Sequence, residues 1–240
     1  MKHSRIVLLF TALTTAGISG ASHAEGIYGS AMIGKSDQAQ DSEPYGNNIA
    51  VDATFPTQFS TGDGNVGSLG VGYSFNNQFR VEGRLGFHNG DFNSREQGMD
   101  ARAGEDFVLN GEIESKTLTV EGFYDISTGT AFKPYVKAGL GVARNRYSAR
   151  LGGTGAAGFD AFDGTTDGFY DAYDDQESTE FTWNVGAGVS YAINKQISLV
   201  GEYQYVSFGD ASTGQDSFTD GFRVEDAAAH EVQLGLKYNF

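Results

Sequence analysis

Cysteine is absent from the sequence, and proline is rare, with only 3 residues in 240. Without cysteine the chain cannot form a disulfide scaffold, use a thiolate in catalysis or bind a metal through sulfur. Long apolar runs are also scarce, since only 39% of the residues are hydrophobic. A bundle of membrane-spanning helices, which needs several apolar stretches of about 20 residues, is therefore excluded.

Positive charge is also in short supply. The 16 Lys and Arg residues face 31 Asp and Glu residues, so the formal charge is −15 at pH 7. The phosphate backbone repels such a chain, and nucleic acid is not an expected partner. Gly, Phe and Tyr are abundant instead, which is typical of β-structure. We expect no cofactor, because no helix follows the glycine-rich segment 152–155 to bind a phosphate.

The N-terminal residues 1–24 have the features of a secretory signal peptide. Lys2 and Arg5 precede an apolar run over residues 6–18, and small residues surround a cleavage point after Ala24. A single membrane anchor is the alternative, but the apolar run is short and rich in threonine. The sequence therefore predicts an exported protein whose mature domain covers residues 25–240.

Eight segments of the mature chain alternate between bulky apolar and small or polar residues. In residues 232–240, for example, Val232, Leu234 and Leu236 share one face, while Gln233 and Gly235 lie on the other. This period of two is typical of a β-strand with a different environment on each side. The remaining segments lie near residues 27–34, 69–75, 79–87, 118–124, 136–142, 181–191 and 199–205.

The two faces of these segments indicate which side meets lipid. One face carries Gly, Ser and Ala, which suit a crowded interior, and the other carries bulky aliphatic residues with aromatic residues near the ends. A soluble barrel or sandwich has the reverse arrangement. Apolar residues outside and polar residues inside are typical of a membrane-spanning barrel.

The connections between segments alternate in length. Three are short, near residues 76–77, 127–130 and 194–196, and four are long, over residues 35–64, 89–111, 147–178 and 209–227. With this alternation, aromatic residues sort to two levels. At the short-turn ends lie Phe75, Phe79, Tyr124, Tyr191, Tyr238 and Phe240, and at the long-loop ends Phe87, Phe181, Trp183 and Tyr205. The prediction is an all-β, eight-stranded, antiparallel up-and-down transmembrane β-barrel with four long extracellular loops and periplasmic termini.

Four stretches resemble the small outer-membrane barrel families, namely the OmpA transmembrane domain, OmpX and the opacity-type proteins. They are Gly26-Ile27-Tyr28-Gly29, the segment 134–141, Glu202-Tyr203-Gln204-Tyr205, and the segment 235–240. The resemblance implies a location in the outer membrane of a Gram-negative cell, with outer-membrane lipid and lipopolysaccharide as neighbours. It also implies that Tyr238 and Phe240 form the signal read by the barrel-assembly machinery. The family is functionally mixed, so it does not fix a function.

Several charged residues fall on the inward face of the predicted strands. An eight-stranded barrel has a lumen just wide enough for side chains, so these charges should pair with one another. The favoured interpretation is a polar plug that also fixes the register of the strands, and the alternative is an ion path that opens when the charges change partners. The residues are Arg80, Glu82, Arg84, Glu121, Lys137 and Glu202.

The loops hold most of the negative charge. Asp160, Asp163, Asp167 and Asp171 could supply oxygen ligands to Ca²⁺, but their spacing does not match the EF-hand pattern. A solvated run of acids is the favoured interpretation. A third interpretation is a contact surface for an extracellular ligand or a host surface, in which aromatic anchors bind and acids steer a basic partner.

Catalysis is not expected. The mature chain has two histidines, His88 and His230, and Ser115 lies at a similar height to His88, but no nucleophile motif surrounds it. We therefore expect an outer-membrane barrel with a structural or surface-interaction role. The first alternative is a porin for small solutes or ions, and a more distant one is a hydrolase that acts on lipids of the outer leaflet.

Overall fold

A computed structural model gives the fold of this chain. It describes residues 26–45, 56–157, 164, 166–170, 173, 175–214 and 221–240. The predicted signal peptide, residues 1–24, lies outside this described part, as do Asp160, Asp163 and Asp171. Among the residues described, no helix combines the length and the apolar character needed to cross a bilayer.

The described residues form ten strands and one short 3-10 turn. The ten strands are β1 (Gly26–Gln38), β2 (Glu43–Tyr45), β3 (Asp63–Ser74), β4 (Phe79–Gln97), β5 (Asp106–Asp125), β6 (Phe132–Gly152), β7 (Phe169–Tyr170), β8 (Gln176–Ala192), β9 (Ile197–Ser212) and β10 (Gly221–Asn239). The 3-10 turn covers Asp100–Arg102.

Eight of these strands close into a ring. Their order is β1-β3-β4-β5-β6-β8-β9-β10, and every neighbouring pair is antiparallel. β1 and β10 complete the ring, with Tyr28 opposite Asn239 and Gln38 opposite Ala229. The short strands β2 and β7 pair with β10 and β6 and lie off the ring. The prediction of an eight-stranded up-and-down barrel is confirmed.

Three tight turns join strands at one end of the barrel, here called the turn end. In two of them an asparagine fixes the turn through its side chain. Asn76 Oδ1 accepts hydrogen bonds from the backbone N–H groups of Gln78 and Phe79, both at 2.8 Å. Asn194 Oδ1 accepts the equivalent bonds from Gln196 and Ile197, also at 2.8 Å. These local bonds start the next strand at once, which explains why the connections are short.

At the opposite end, the loop end, the strands run further than the sequence predicts. The sequence predicts a loop over residues 89–111, yet β4 continues to Gln97 and β5 begins at Asp106. Similarly, β6 continues to Gly152 and β8 begins at Gln176. In this part of β4 the outward residues are polar and Phe92 is the single large apolar residue that faces inward. Its composition therefore resembles a loop, although its backbone pairs with β5 as far as Gln97.

The barrel has two parts with opposite distributions of apolar residues. In the lower barrel, from the turn end up to the level of Phe87, outward residues such as Leu85, Val185 and Leu234 are exposed. The predicted aromatic residues at both levels are exposed as well, except Tyr205, which is half-buried. In the upper barrel, beyond that level, the interior is apolar. Its buried members include Phe59, Phe92, Phe107, Leu109, Ile113, Tyr147, Leu151, Phe208 and Phe222.

Candidate functional site

Arg84 lies at the centre of the lower barrel lumen and contacts three carboxylates. Its Nε is 2.8 Å from Glu82 Oε1 and 3.3 Å from Glu121 Oε2, and its Nη1 is 2.7 Å from Glu202 Oε1. Glu202 comes from β9, on the far side of the ring from β4. Arg84 therefore connects opposite walls of the barrel across its axis.

Lys137 on β6 is the second cation of this network. Its Nζ is 3.0 Å from Glu121 Oε2 and 2.8 Å from Glu202 Oε1. Tyr135 donates its hydroxyl to Glu202 at 2.8 Å, and Asn184 donates to Glu121 at 3.0 Å. Two cations and three carboxylates, all buried, therefore share one set of hydrogen bonds, which we call the lumen network (Glu82, Arg84, Glu121, Lys137 and Glu202).

Arg80, the sixth inward charge predicted from the sequence, has a different partner. It pairs with Asp125 at 3.1 Å, closer to the turn end, rather than with Glu121. Its guanidinium also lies 3.8 Å from the ring centre of Phe123, where a cation–π contact forms. Asp125 is the last residue of β5, and sequence reasoning missed it because it stands at the edge of the alternating segment.

Glycines provide the space that the lumen network occupies. A Cβ atom added at Gly70 would lie 2.1 Å from Glu82 Oε1, and one at Gly139 would lie 2.7 Å from Glu121 Cγ. These inward glycines therefore let long charged side chains cross a narrow lumen. The predicted small residues on the inward face have this as their physical role.

A second polar layer lies directly above the lumen network. His88 Nδ1 is 2.6 Å from Glu231 Oε1, and Gln204 and Gln233 both donate to Glu231. Between the two layers is a cavity of only about 10 Å³. This is about the size of one water molecule.

The arrangement around His88 superficially resembles a catalytic one. Thr117 Oγ1 lies 3.3 Å from His88 Nε2, on the side opposite Glu231. Ser115, which the sequence places at this height, bonds to Asn145 at 2.8 Å instead. His230 faces outward and bonds to the hydroxyl of Tyr203 at 2.7 Å. His88, Thr117 and Glu231 are buried, and the cavity beside them holds no substrate-sized space.

Of the four candidate calcium ligands, the described part of the chain contains Asp167. Its carboxylate is exposed, lies 3.7 Å from Arg150 and accepts a hydrogen bond from the backbone of Phe169. No group of three or more potential metal ligands occurs among the residues that the structure describes.

An acidic row crosses the outside of the upper barrel on four neighbouring strands. Asp37 lies directly opposite Asp63, and Asp91 lies directly opposite Glu112. The β3–β4 register ends one residue away, at the pair Gly64–Gly90, so Asp63 and Asp91 are neighbours. All four side chains are exposed. Sequence reasoning missed this acidic row, because its members come from four separate segments and only the register aligns them.

The C-terminal residues Tyr238 and Phe240 lie at the turn end and face outward. Their rings pack edge to face with centres 5.2 Å apart. The backbone N–H of Phe240 donates to Ile27 O at 3.1 Å and so joins the last strand to the first.

Comparison with known proteins agrees with this geometry. Residues 6–240 match the family described as outer membrane protein beta-barrel domain. The outer membrane protein PagN of Salmonella typhimurium is 28% identical over 188 residues, which cover 72% of each chain. An uncharacterized protein of Brucella abortus is 27% identical over 232 residues, covering 84% of this chain and 76% of the relative.

Among solved structures, the outer membrane protein OprG of Pseudomonas aeruginosa superposes with a TM-score of 0.50. The likeness covers 91% of this chain and 98% of OprG at 16% identity, and it shows the fold alone. Together with the apolar exterior of the lower barrel, the match over residues 6–240 shows that the chain belongs to the outer membrane protein beta-barrel domain family and is located in the outer membrane of a Gram-negative bacterium.

Proposed function

We propose that this protein is a closed outer-membrane barrel whose upper barrel serves as an interaction surface on the outside of the cell. In this proposal the turn end faces the periplasm and the loop end faces the exterior. The lumen network is the observation that carries the proposal, because it joins opposite walls of the barrel.

Conduction would require several buried ion pairs to separate together. Arg84 and Lys137 both bind Glu202, so neither cation can leave without exposing a carboxylate that the other must neutralise. Removing one partner from a buried ion pair costs about 3–5 kcal/mol. Above the network, the buried apolar residues of the upper barrel form a second closure. Two unlike layers therefore block the same axis, which supports a non-conducting barrel.

The acidic row supports a positively charged partner. Like charges placed directly opposite on neighbouring strands destabilise a sheet, so the row carries a cost that folding does not require. Clustered charge also raises the rate at which an oppositely charged partner arrives. We propose that the acids of the loop around Asp160, Asp163, Asp167 and Asp171 extend this negative surface and keep the loop solvated.

Contacts with the membrane and with the export pathway are part of the same proposal. The exposed apolar residues on the outside of the lower barrel would contact outer-membrane lipid. The residues above them would contact lipopolysaccharide. Tyr238 and Phe240 would be read by the barrel-assembly machinery, and residues 1–24 would direct export.

Conductance in planar bilayers tests the closed lumen. The refolded wild-type barrel should give no stable current steps, and liposomes that contain it should not swell in small sugars. Glu202→Ala and Arg84→Ala each disrupt the lumen network, and steps from either variant would show that this layer closes the barrel without help from the apolar residues above it. Regular steps from the wild-type protein would overturn the closed barrel and favour the porin.

Binding of an oligolysine peptide to cells that display the protein tests the surface role. The triple variant Asp37→Asn, Asp63→Asn, Asp91→Asn should bind the peptide at least tenfold more weakly. The control Asp175→Asn with Glu177→Gln removes two negative charges instead of three. These acids already pair with Arg146 and Arg144, so the control should bind almost normally. Equal losses in both variants would show that overall charge, and not the acidic row, attracts the peptide.

A further inference from the structure

A polar cavity of about 270 Å³ occupies the mouth of the barrel at its turn end. Residues at the ends of several strands and from all three tight turns line it. Three lysines are among them: Lys133 at the start of β6, Lys195 in the turn before β9, and Lys237 near the end of β10. The protein as a whole has a charge of −15, so this concentration of positive charge is local.

Among the described residues that line the cavity, the one acid is already paired. Asp125 also lines the cavity, but its carboxylate pairs with Arg80 at 3.1 Å. No salt bridge within the described part of the chain involves Lys133, Lys195 or Lys237. Deeper in the same lumen, by contrast, Arg84 and Lys137 are both matched by carboxylates.

The side chain of Lys237 is held inside the mouth. Its Nζ lies 5.4 Å from the ring centre of Tyr28, a residue that is fully buried in the lumen. Gathering three like charges around one cavity is unfavourable, and a bound anion would offset this repulsion. Lumen walls of low dielectric constant also concentrate the field and raise the local concentration of an anion.

The remaining lining supplies neutral hydrogen-bonding groups. Ser74, Ser190 and Ser198 have hydroxyl groups there, and Asn76 and Asn239 have amides. Ammonium groups with hydroxyl and amide donors suit a compact oxyanion such as a phosphate. The volume lies just below the range of about 300–1,000 Å³ typical of sites for drug-sized ligands, so it suits a small ligand.

We propose that the mouth at the turn end binds a small multivalent oxyanion of the phosphate class. The shared chemistry is the phosphate group, which a free anion or a lipid headgroup could supply. The lysines line the lumen and not the lipid-facing wall, which favours a free anion that enters from the aqueous phase.

Isothermal titration with pyrophosphate tests the proposal on the folded barrel in a non-ionic detergent at low salt. The wild-type protein should bind one pyrophosphate, and added NaCl should weaken the binding. Lys133→Gln and Lys237→Gln should each weaken it at least tenfold. Lys35→Gln is the matched control, since Lys35 is exposed on the upper barrel and bonds to Asn65. The affinity of this variant for pyrophosphate should be unchanged.

Two further arms make the result decisive. Lys195 lies in an exposed turn, so Lys195→Gln should fold normally. It replaces Lys133→Gln or Lys237→Gln if either of these fails to refold. The titration is then repeated in nanodiscs of phosphatidylcholine with and without phosphatidylglycerol. Binding in both supports a free anion, and loss with phosphatidylglycerol assigns the site to lipid headgroups. Absence of binding to the wild type, or an equal loss in Lys35→Gln, would refute the anion site.

Discussion

The lower and upper barrel share the same eight strands but arrange polar and apolar side chains in opposite ways. In the lower barrel Leu140 and Leu234 face outward, and the buried Glu202 faces inward. In the upper barrel Phe107 and Tyr147 are fully buried inside. Arg146, on the outside there, pairs with Asp175. A single β-sheet thus passes from a polar core in an apolar solvent to an apolar core in water.

The outward residues change from apolar to polar within about two residues along each strand. On the outside of β6, Val142 is followed by Arg144, and on the outside of β5, Leu118 is followed by Lys116. On the inside, His88 lies at the same level. It bonds to Glu231 below the apolar cluster, and its ring packs edge to face against Phe208 with the ring centres 4.8 Å apart. The pleat stays the same while the solvent changes, so each face must reverse its composition at the membrane surface.

Different forces therefore stabilise the two parts of the barrel. In lipid, an apolar exterior gives little hydrophobic drive, so the lower barrel relies on its backbone ladder and on the lumen network. The upper barrel has the ordinary hydrophobic core of a protein in water. Changes that remove charge pairs should therefore damage the lower barrel, and changes that remove apolar volume should damage the upper barrel.

The largest effect is expected from Arg84→Met. Three carboxylates would remain with Lys137 as their single cation in the lumen network. Loss of one partner from a buried network costs about 3–5 kcal/mol, which urea unfolding of the refolded barrel would measure. Adding Glu82→Gln should restore part of the loss. Arg144→Met is the control, because its pair with Glu177 is exposed on both sides and is worth about 0–1 kcal/mol. Similar losses in both variants would contradict the comparison.

Phe107→Ala should destabilise the upper barrel by a similar or slightly smaller amount. The ring is fully buried, and deleting it leaves a cavity that costs about 3–5 kcal/mol. The expected damage is local: protease should cut within the upper barrel while the lower barrel stays protected by lipid. Leu140→Ala is the control, because that side chain faces lipid. Cleavage that spreads equally to the lower strands would show that the two parts unfold as one unit.

The sequence predicts the lower barrel well and the upper barrel poorly. In the lower barrel each strand separates bulky from small residues, as in residues 232–240, so alternation reveals both the strand and its lipid-facing side. In residues 89–97 of β4 the outward residues are polar or charged, and the inward ones are Gly90, Phe92 and Ser94. Such a composition is typical of loops, and only pairing with a neighbouring strand shows that residues 89–97 are a strand.

The candidate sites divide in the same way. Alternation alone identifies Arg84, Glu121 and Lys137 as inward residues, but not their contacts, since Glu202 reaches Arg84 across the lumen. The pairing of Arg80 with Asp125 depends on where β5 ends. The acidic row depends on the register of four strands, which the sequence does not specify. The sequence of one strand is enough to show which of its residues face inward. Contacts across the barrel and between strands also depend on the position of other strands.

A smaller effect separates two glycines of β3. Gly70 faces the lumen, and a Cβ there would lie 2.1 Å from Glu82 Oε1 and 2.5 Å from Ser30 Oγ. Gly67 faces outward, and its added Cβ would meet nothing closer than Met32 O at 3.9 Å. Gly70→Ala should therefore cost about 1–3 kcal/mol through overpacking, and Gly67→Ala should be neutral. Urea midpoints of the two variants, measured side by side, check this. Equal midpoints would mean that the side chains of the lumen network rearrange to accommodate the added methyl group.

The smallest effect concerns Glu112 in the acidic row. Partial burial, followed by the negative charges of Asp91 and Glu114, raises the pKa of Glu112 above its ordinary value. Folding therefore favours the protonated form of Glu112. Its contribution to stability is fully present when the pH is below the pKa of Glu112 in the unfolded chain, and it is lost as the pH rises through the higher pKa in the folded protein. At pH 7 the charged carboxylate thus weakens the upper barrel, and Glu112→Gln should stabilise it by a few tenths of a kcal/mol, because solvent screens exposed charges.

The pH dependence and a neighbouring acid separate this charge effect from a packing effect. Near pH 4 Glu112 is largely protonated, so the gain from Glu112→Gln should disappear. Glu114 lies directly opposite Arg146, a favourable pairing, so Glu114→Gln should give no gain at pH 7. Amide hydrogen exchange across β4 and β5 is sensitive enough to detect differences of this size. A gain that persists unchanged at pH 4 would assign the effect to side-chain packing, and the exterior of the upper barrel would then lack the electrostatic strain that its register implies.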